Sequence, residues 1–381
     1  MKILLIGEYS RLHNSLKEGL VALGHEVTIV SSGDGFKQYS SDYSIASKSI
    51  ENSYILKTIK RVVYKLSKFN LESTEKGLRF YRLLPKLKGF DHVQLINSDA
   101  LETHPRYAKW LLSKLLDQNG RMSLLVCGDE TPVVDYYLAD KLTYSVLTPY
   151  LQNKSLKKYY SYLLKYRDKN YRSLFKWISD RASSIITSDI DYEIPMQQMG
   201  YTTQLIPNPI NADNINFITL SLDRKIVIFL GINRGSYIKK GIVYFEEALK
   251  IIRNYYKDRV EIIITENIPY NEYIKLYDSA HIVLDQVHAY DQGYNALEAM
   301  AKGKVVFTGA ETEFTEHYKL TARVAINALP NTESIVKELS YLVENPDELI
   351  AIGKRARAFI EKEHNYIKVA ERYFEVWNTN K

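Results

Sequence analysis

The sequence is poor in the features that tie down extracellular proteins or carry a chain through a bilayer. Its 381 residues include a single cysteine, Cys127. An intramolecular disulfide and a cysteine-built metal site are therefore excluded, and a reducing cytoplasm is the expected compartment. Long apolar runs are missing as well. The longest stretch without a charge, Ile194 to Ala212, contains Pro195, Pro207 and Pro209 with Gln197 and Gln198, which a bilayer helix does not tolerate. The opening Met1 to Gly7 is too short and too strand-like for a secretory signal. No internal repeat, low-complexity tract or nucleic-acid recognition motif occurs, so nucleic acid is not an expected partner. What remains is ordinary globular composition, 25% charged and 45% hydrophobic, with a length that suggests two domains.

Charge is unevenly placed. Residues 1–207 carry 29 basic and 21 acidic side chains, a net of +8, while 208–381 carry 22 and 24, a net of −2. Within the first half, Lys48 to Lys88 holds eleven basic and three acidic residues, and Lys154 to Arg181 holds nine and two. Both blocks are rich in Tyr and Leu. From Tyr54 to Leu66 apolar residues recur near helical spacing beside Lys57, Lys60, Arg61 and Lys65, the pattern of a basic amphipathic helix. Such a helix is either a solvated face packed on a core, or a surface that attracts an anionic membrane or a phosphorylated substrate.

Strand and helix alternate throughout. Lys2 to Gly7, Asn14 to Leu23 and Glu26 to Ser31 read as a βαβ opening. Further strands are expected at His92–Ile96, Ser123–Cys127, Ser183–Thr187 and Thr203–Ile206, with one long helix from about Leu156 to Ser179. The turn-forming run Ile206-Pro207-Asn208-Pro209-Ile210-Asn211 breaks the pattern and marks a hinge. Alternation then restarts with strands at Lys225–Gly231, Val260–Thr265, His281–Gln286, Val305–Thr308 and Ala322–Ile326, interleaved with helices. The expected fold class is α/β, two doubly wound Rossmann-like domains facing each other across a cleft. Ligands of such sheets bind beyond the carboxyl ends of the strands, so the loops there are the candidate chemistry.

The strongest local signal is Tyr290-Asp291-Gln292-Gly293-Tyr294-Asn295-Ala296-Leu297-Glu298-Ala299-Met300-Ala301-Lys302-Gly303-Lys304-Val305-Val306. A strand ending at Asp285 leads through a polar loop to a helix N-terminus near Gly293, whose free N–H groups suit a diphosphate. Glu298, more than one turn inside that helix, either faces the cleft and holds two ribose hydroxyls or is a solvated glutamate on an Ala-rich helix.

This stretch resembles the second-domain signature of the retaining GT-B glycosyltransferases, the large group 1 (family 4) set, in which two glutamates separated by seven residues run into Leu-Glu-Ala-Met-Ala. Phe229 to Gly241 is similar to that family's Gly-Arg and Lys-Gly segment, Ile206 to Asn211 to its interdomain element, and Ala182 to Ser188 to the strand before it. The resemblance implies an N-terminal acceptor domain over 1–207, a nucleotide-sugar domain over 208–365, and a last helix, 366–381, packing back on the first domain. It implies that Glu298 holds the ribose and that Arg234 and Lys240 neutralise the donor diphosphate, with Lys239 the alternative to Lys240. Gly231, Gln292, Gly293, Tyr294 and Asn295 would line the donor. The activity implied is transfer of a sugar from a nucleotide donor to a glycan or lipid-linked saccharide, with retention, in cell-surface polysaccharide synthesis, and with neither cofactor nor metal.

One position departs from the family pattern. The first glutamate of the pair falls at Tyr290, so Asp291 is expected to bind the donor sugar in its place, with Tyr290 itself, Asp285 or no replacement at all as alternatives. On the acceptor side, Gly7, Glu8, Tyr9 and Arg11 follow the first strand, and Asn97, Asp99 and Asp129 follow later ones. Relatives often carry a histidine at such a strand end, and His104 is the nearest here, although a structural role is as natural for it. Asp189-Ile190-Asp191 resembles a metal-binding Asp-x-Asp, but an Asp before a helix is most simply an N-cap. The rival readings are a sugar-nucleotide 2-epimerase of the same architecture and a non-catalytic nucleotide-sugar or glycan binder. The charge asymmetry adds an expected peripheral attachment to an anionic membrane surface through Lys48 to Lys88.

Overall fold

In β1 (Lys2–Ile6), Ile3, Leu4, Leu5 and Ile6 are all buried. A strand with no solvent face belongs in a parallel sheet covered by helices on both sides. The computed structural model describes residues 1–33, 39–67 and 69–379; Lys68 of the basic block and residues 380 and 381 lie outside it. The first domain continues with α1 (Leu12–Ala22), β2 (Glu26–Ser31), β3 (Tyr43–Ser44), α2 (Lys48–Asn52), α3 (Tyr54–Ser67) and α4 (Leu71–Leu83). Then come β4 (His92–Leu95), α5 (Pro105–Leu116), β5 (Arg121–Val126), α6 (Thr131–Leu138), α7 (Thr148–Gln152), α8 (Ser161–Leu164), α9 (Lys169–Ser179), β6 (Ser184–Thr187), α10 (Ile190–Gln198) and β7 (Gln204–Leu205). The second domain holds β8 (Ile226–Ile232), α11 (Tyr237–Lys240), α12 (Ile242–Tyr255), β9 (Val260–Glu266), α13 (Tyr270–Ser279), β10 (Ile282–Leu284) and α14 (Tyr294–Ala301). It closes with β11 (Val305–Thr308), α15 (Thr312–His317), β12 (Ile326–Asn327), α16 (Thr332–Glu344), α17 (Pro346–Glu363) and α18 (Tyr366–Thr379).

The strand orders are β3-β2-β1-β4-β5-β6-β7 and β12-β11-β10-β8-β9, and every strand pairing in both sheets is parallel. In each sheet the winding reverses once, between β1 and β4 and between β8 and β10. A crevice opens at such a switch point, outside the carboxyl ends of the strands. The loops there are the ones that the sequence singles out: Gly7–Arg11 and Asn97–Asp99 in one domain, Asn233–Lys240 and Asp285–Gly293 in the other.

Two crossovers join the domains and run side by side. The Ile210 N–H donates to the His364 carbonyl at 2.7 Å, and His364 Nδ1 lies 2.8 Å from the Asn208 carbonyl. Beyond them α18 packs along α1, where a Cβ on Gly19 would stand 2.2 Å from the Tyr366 carbonyl oxygen. One apolar cluster runs from the first sheet through Ile206 and Ile210 to α14 and α18, so the domain seam is part of the core. Among the described residues no helix is long and apolar enough to cross a membrane.

Two expected elements differ. The single helix from Leu156 to Ser179 is broken into 3₁₀ turns, α8 and α9. Asp168 takes an extended backbone and its carboxylate accepts from the Asn170 N–H at 2.8 Å, an N-cap that starts a new helix. The strand expected over Ala322–Ile326 begins only at Ile326, beside Phe307 of β11.

Candidate active site

On the second-domain side, α11 ends at Lys240, whose Nζ donates to Asp285 Oδ1 at 2.7 Å. The same oxygen accepts from Asn295 Nδ2 at 3.0 Å. Asp285 follows β10 and Asn295 lies in the first turn of α14, so one buried carboxylate ties the lysine to that helix's N-terminus. Gly293, the N-cap, offers no side chain to the first N–H groups, which leaves the positive end of the helix dipole open to an anion. Glu298 opens, one turn above Tyr294, onto a cavity of about 430 Å³ at the domain seam, shared with Tyr277 and Lys302 and with Arg11 from the first domain.

The other expected donor residues are dispersed. Arg234 forms a two-pronged pair with Glu266, at 2.8 and 2.6 Å, and its guanidinium lies 4.9 Å over the Tyr237 ring. Its charge is already matched, apart from the Lys240–Asp285 group. Lys239 points to the first domain, its ammonium 5.4 Å from the Tyr162 ring centre; burial lowers its pKa while Asp129 raises it. Gly231 makes room for Tyr273, which a Cβ would meet at 2.8 Å. The Gln292 Nε2 donates to the Gly309 carbonyl at 2.6 Å, and its Oε1 is buried without a partner. The Tyr294 hydroxyl donates to the Pro209 carbonyl at 3.1 Å, which braces the interdomain crossover.

Tyr290 and Asp291, the two candidates for the departed glutamate, both turn to the domain seam. The Tyr290 hydroxyl accepts from the Thr143 N–H at 3.1 Å, and its ring lies 5.4 Å from Tyr144. Asp291 accepts from its neighbour Gln292 N–H at 2.7 Å and from the Ile190 N–H at 3.2 Å. Asp191 reciprocates, accepting from the backbone N–H groups of Tyr290 and Asp291 at 2.9 and 3.1 Å. Burial raises the pKa of Asp189, Asp191 and Asp291, and Asp191 and Asp291 each raise that of Asp189 further. The Asp-x-Asp motif therefore joins the domains; among the described residues no group of three or more His, Cys, Asp or Glu side chains is placed to hold a metal.

On the first-domain side, Gly7 adopts φ +89°, and a Cβ there would stand 2.2 Å from Ile96. Ser10 and Arg11 follow at φ +52° and +78°, a strained turn of the kind that collects at ligand sites. Glu8 caps the start of α1, accepting from the Asn14 N–H at 2.9 Å. Arg11 pairs with Glu18 at 2.7 Å. Tyr9 is part-buried beside Asn97 and Asp99, and burial raises its pKa. Asn97 donates to the Tyr166 hydroxyl at 3.3 Å, and Asp99 Oδ2 accepts from Lys165 at 2.6 Å. Asp129 has its pKa raised by burial, with Lys239 and Lys165 acting against that. His104 is exposed, and its Nδ1 accepts from the Arg106 N–H at 3.3 Å as the N-cap of α5.

Glu130 adjoins Asp129 at a strand end that the sequence marks, and two further residues at the cleft, Lys165 and Tyr159, escape sequence reasoning. Glu130 is fully buried, accepts from the Ser98 hydroxyl at 2.6 Å, and is pushed up to about 8 by burial. Lys165 and Tyr159 belong to the Tyr-rich basic block, yet nothing in that block's composition places the Tyr159 hydroxyl on the Gly235 carbonyl at 2.9 Å.

Residues 240–375 match a family model described as "Glycosyl transferase-like". No curated protein matches the sequence. Among solved structures, the chain is similar to a sucrose-phosphate synthase from Thermosynechococcus elongatus, at 15% identity and a TM-score of 0.59 over 100% of this chain and 99% of that one. It is similar to Anabaena HepE in complex with UDP and glucose, at 11% identity and 0.58 over 100% of both chains. A Listeria monocytogenes protein provisionally described as a UDP-N-acetylglucosamine 2-epimerase aligns at 11% identity and 0.51, over 99% and 95%. The chain therefore has the GT-B fold, two Rossmann-like domains, and carries a glycosyl-transferase-like segment from residue 240 to residue 375.

Proposed function

We propose that this protein is a glycosyltransferase that moves a sugar from a nucleotide-diphosphate donor to a glycan or lipid-linked saccharide, with retention, in cell-surface polysaccharide synthesis. The observation that carries the reading is that Lys240 is tied through Asp285 to the open N-terminus of α14, the helix that carries Glu298, at the switch point of the second sheet. Glu298 accepts from the two ribose hydroxyls. Lys240 and the α14 N–H groups hold the diphosphate, and Arg234, released from Glu266, adds a second cation. As the bond from the anomeric carbon to phosphate breaks, these groups stabilise the charge on the leaving oxygen. The acceptor hydroxyl attacks from the same face and gives its proton to the departing phosphate, so no protein nucleophile and no metal is required. The UDP and glucose bound to HepE support a UDP-sugar as the first donor to try.

Titration calorimetry with UDP, GDP and their sugars, in EDTA, tests this. A nucleotide should bind without metal, and Glu298→Ala should weaken it by about ten- to a hundredfold for each charge-assisted hydrogen bond lost, at about 1.5–3 kcal/mol each. Unchanged affinity in the variant would remove Glu298 from the site; binding only with a divalent cation would remove the metal-free reading. A second reading, epimerisation of the free donor, is favoured by the buried carboxylates of Asp99, Asp129 and Glu130 at the first-domain strand ends. Turnover of donor with no acceptor present distinguishes it.

A further inference from the structure

Helix α3 is fourteen residues long and none of them is buried. It rests on α2 and α4, yet it holds the pattern of a helix with an apolar partner. Ile55, Ile59, Val62 and Leu66 stand four, seven and eleven residues along from the first, so they form one stripe. Their exposures are 69%, 44%, 52% and 81%. Lys57, Lys60 and Arg61 lie on the opposite face, and Lys65 flanks the stripe. Lys60 pairs with Glu72 of α4 at 2.5 Å; Lys57, Arg61 and Lys65 make no ion pair among the described residues. Aromatic side chains mark both ends, Tyr54 at 85% exposure and Phe69, just past the helix, at 50%.

From this arrangement we infer that α3 is a reversible docking helix for an anionic lipid surface, lying in the plane of the headgroups with the Ile55–Leu66 stripe inserted. A fourteen-residue helix spans about 21 Å, too short to cross the bilayer core of about 30 Å but suited to lie along it. Amphipathic segments with a strongly basic polar face and little net hydrophobicity partition into the interface in this way. The stem of Lys65 runs along the apolar layer while its ammonium group reaches the phosphates, and Tyr54 and Phe69 sit at headgroup depth. The charge of the region selects the occupant. Lys48 to Lys88 carries eleven basic and three acidic residues, so a second copy would meet like charge, whereas an anionic leaflet attracts each lysine and arginine near it. The inference is independent of the enzymatic reading, because it needs neither donor nor acceptor.

Co-sedimentation of the full chain with vesicles tests it, using phosphatidylcholine alone and phosphatidylcholine with phosphatidylglycerol. Wild type should bind the mixed vesicles at low salt, bind the neutral ones at least about tenfold more weakly, and be released as salt rises. Two variants separate the two contributions: Ile59→Asp with Val62→Asp removes insertion, and Lys57→Glu with Arg61→Glu and Lys65→Glu removes attraction. Each should lower binding about tenfold or more. All five positions are exposed, so the variants should melt as wild type does, and Glu298-dependent nucleotide binding should persist in both. Equal binding to neutral vesicles, no binding to anionic ones at low salt, or wild-type binding by the Asp variant would overturn the inference. A dimer in sedimentation velocity that the Asp variant abolishes would overturn it too, by giving the stripe to a second copy.

Discussion

On the second-domain wall of the cleft, Lys240, Asp285 and Asn295 satisfy one another, and Arg234 is held by Glu266. On the first-domain wall, Asn97 Oδ1 and Asp99 Oδ1 are buried with no hydrogen-bond donor among the described residues. Gln292 Oε1 and Thr308 Oγ1, on the second-domain side, depart from this contrast. The difference says what each wall awaits. Cations already paired with carboxylates bind an anion by exchange, the ligand's phosphate replacing Asp285 or Glu266. On the proposed function, the unmatched acceptors of the first wall would take hydroxyl groups of the saccharide, because a buried unmatched oxygen costs about 1–3 kcal/mol.

The largest effect should come from unbalancing the braced wall. Lys240→Met leaves the Asp285 carboxylate, 3% exposed, without its cation. Breaking such a pair from one side costs about 3 kcal/mol or somewhat less, since the lysine is itself 28% exposed. Thermal melts should show that loss, and adding Asp285→Asn should recover most of it by removing the stranded charge. If Lys240→Met melts like wild type, the wall is not braced by this pair and the contrast with the other wall fails.

How much of this was legible in the sequence follows the same division. The second-domain wall lies in contiguous motifs: the Leu297-Glu298-Ala299 helix, the Lys239-Lys240 segment and the turn at Pro207–Pro209 are each local, and periodicity sets their elements. The fold was readable for the same reason, since buried strands announce themselves as unbroken apolar runs. The seam was not. Asp191 meets Tyr290 across ninety-nine residues, and no spacing rule reports a contact between a helix start in one domain and a loop in the other. Asp291 was expected in the donor site because it sits beside the motif position; the structure spends both its oxygens on backbone N–H groups. His104 was legible in its structural role, since a lone histidine at a helix start is most simply a cap.

A middle-sized effect should appear at the seam, where carboxylates of both walls meet. Burial raises the pKa of Asp189, Asp191 and Asp291 toward neutral pH, with Glu311 adding to the shift of Asp191. A raised carboxylate pKa means that the folded state holds its proton more tightly than the unfolded chain. The destabilisation therefore accumulates as pH rises from the ordinary carboxylate pKa of about 4 to the raised value, and it is relieved on acidification. Buried histidines act in the opposite sense: His13 and His364 are lowered to about 4 by burial, so stability is lost as pH falls below their ordinary value of about 6.5. Between about pH 8 and about pH 6.5 the carboxylates should dominate, and the melting temperature should rise by a few degrees on acidification, equivalent to about 1 kcal/mol. Asp191→Asn should reduce that rise, and Glu130→Gln should reduce it as well, since burial pushes the Glu130 carboxyl up to about 8. An equally steep profile in both variants would assign the titration elsewhere.

The smallest effect on stability, and the sharpest test of the contrast, belongs to Asp99. Its Oδ2 holds Lys165 at 2.6 Å while Oδ1 has no donor. Burial raises its pKa and Lys165 pulls the other way, so the carboxylate is held by a partly exposed lysine in a site that disfavours charge. Asp99→Asn removes the ion pair and the desolvated charge together, and these offset, so stability should change by no more than about 1 kcal/mol. Function should not be spared. If Oδ1 receives an acceptor hydroxyl, an amide there presents either a weaker acceptor or a second donor, and KM for the acceptor should rise about tenfold with KM for the donor unchanged. Lys240→Met should do the reverse, weakening donor binding and leaving the acceptor KM alone. If Asp99→Asn instead weakens the nucleotide sugar, the two walls are one site, and the orphaned oxygens of the first domain belong to the donor.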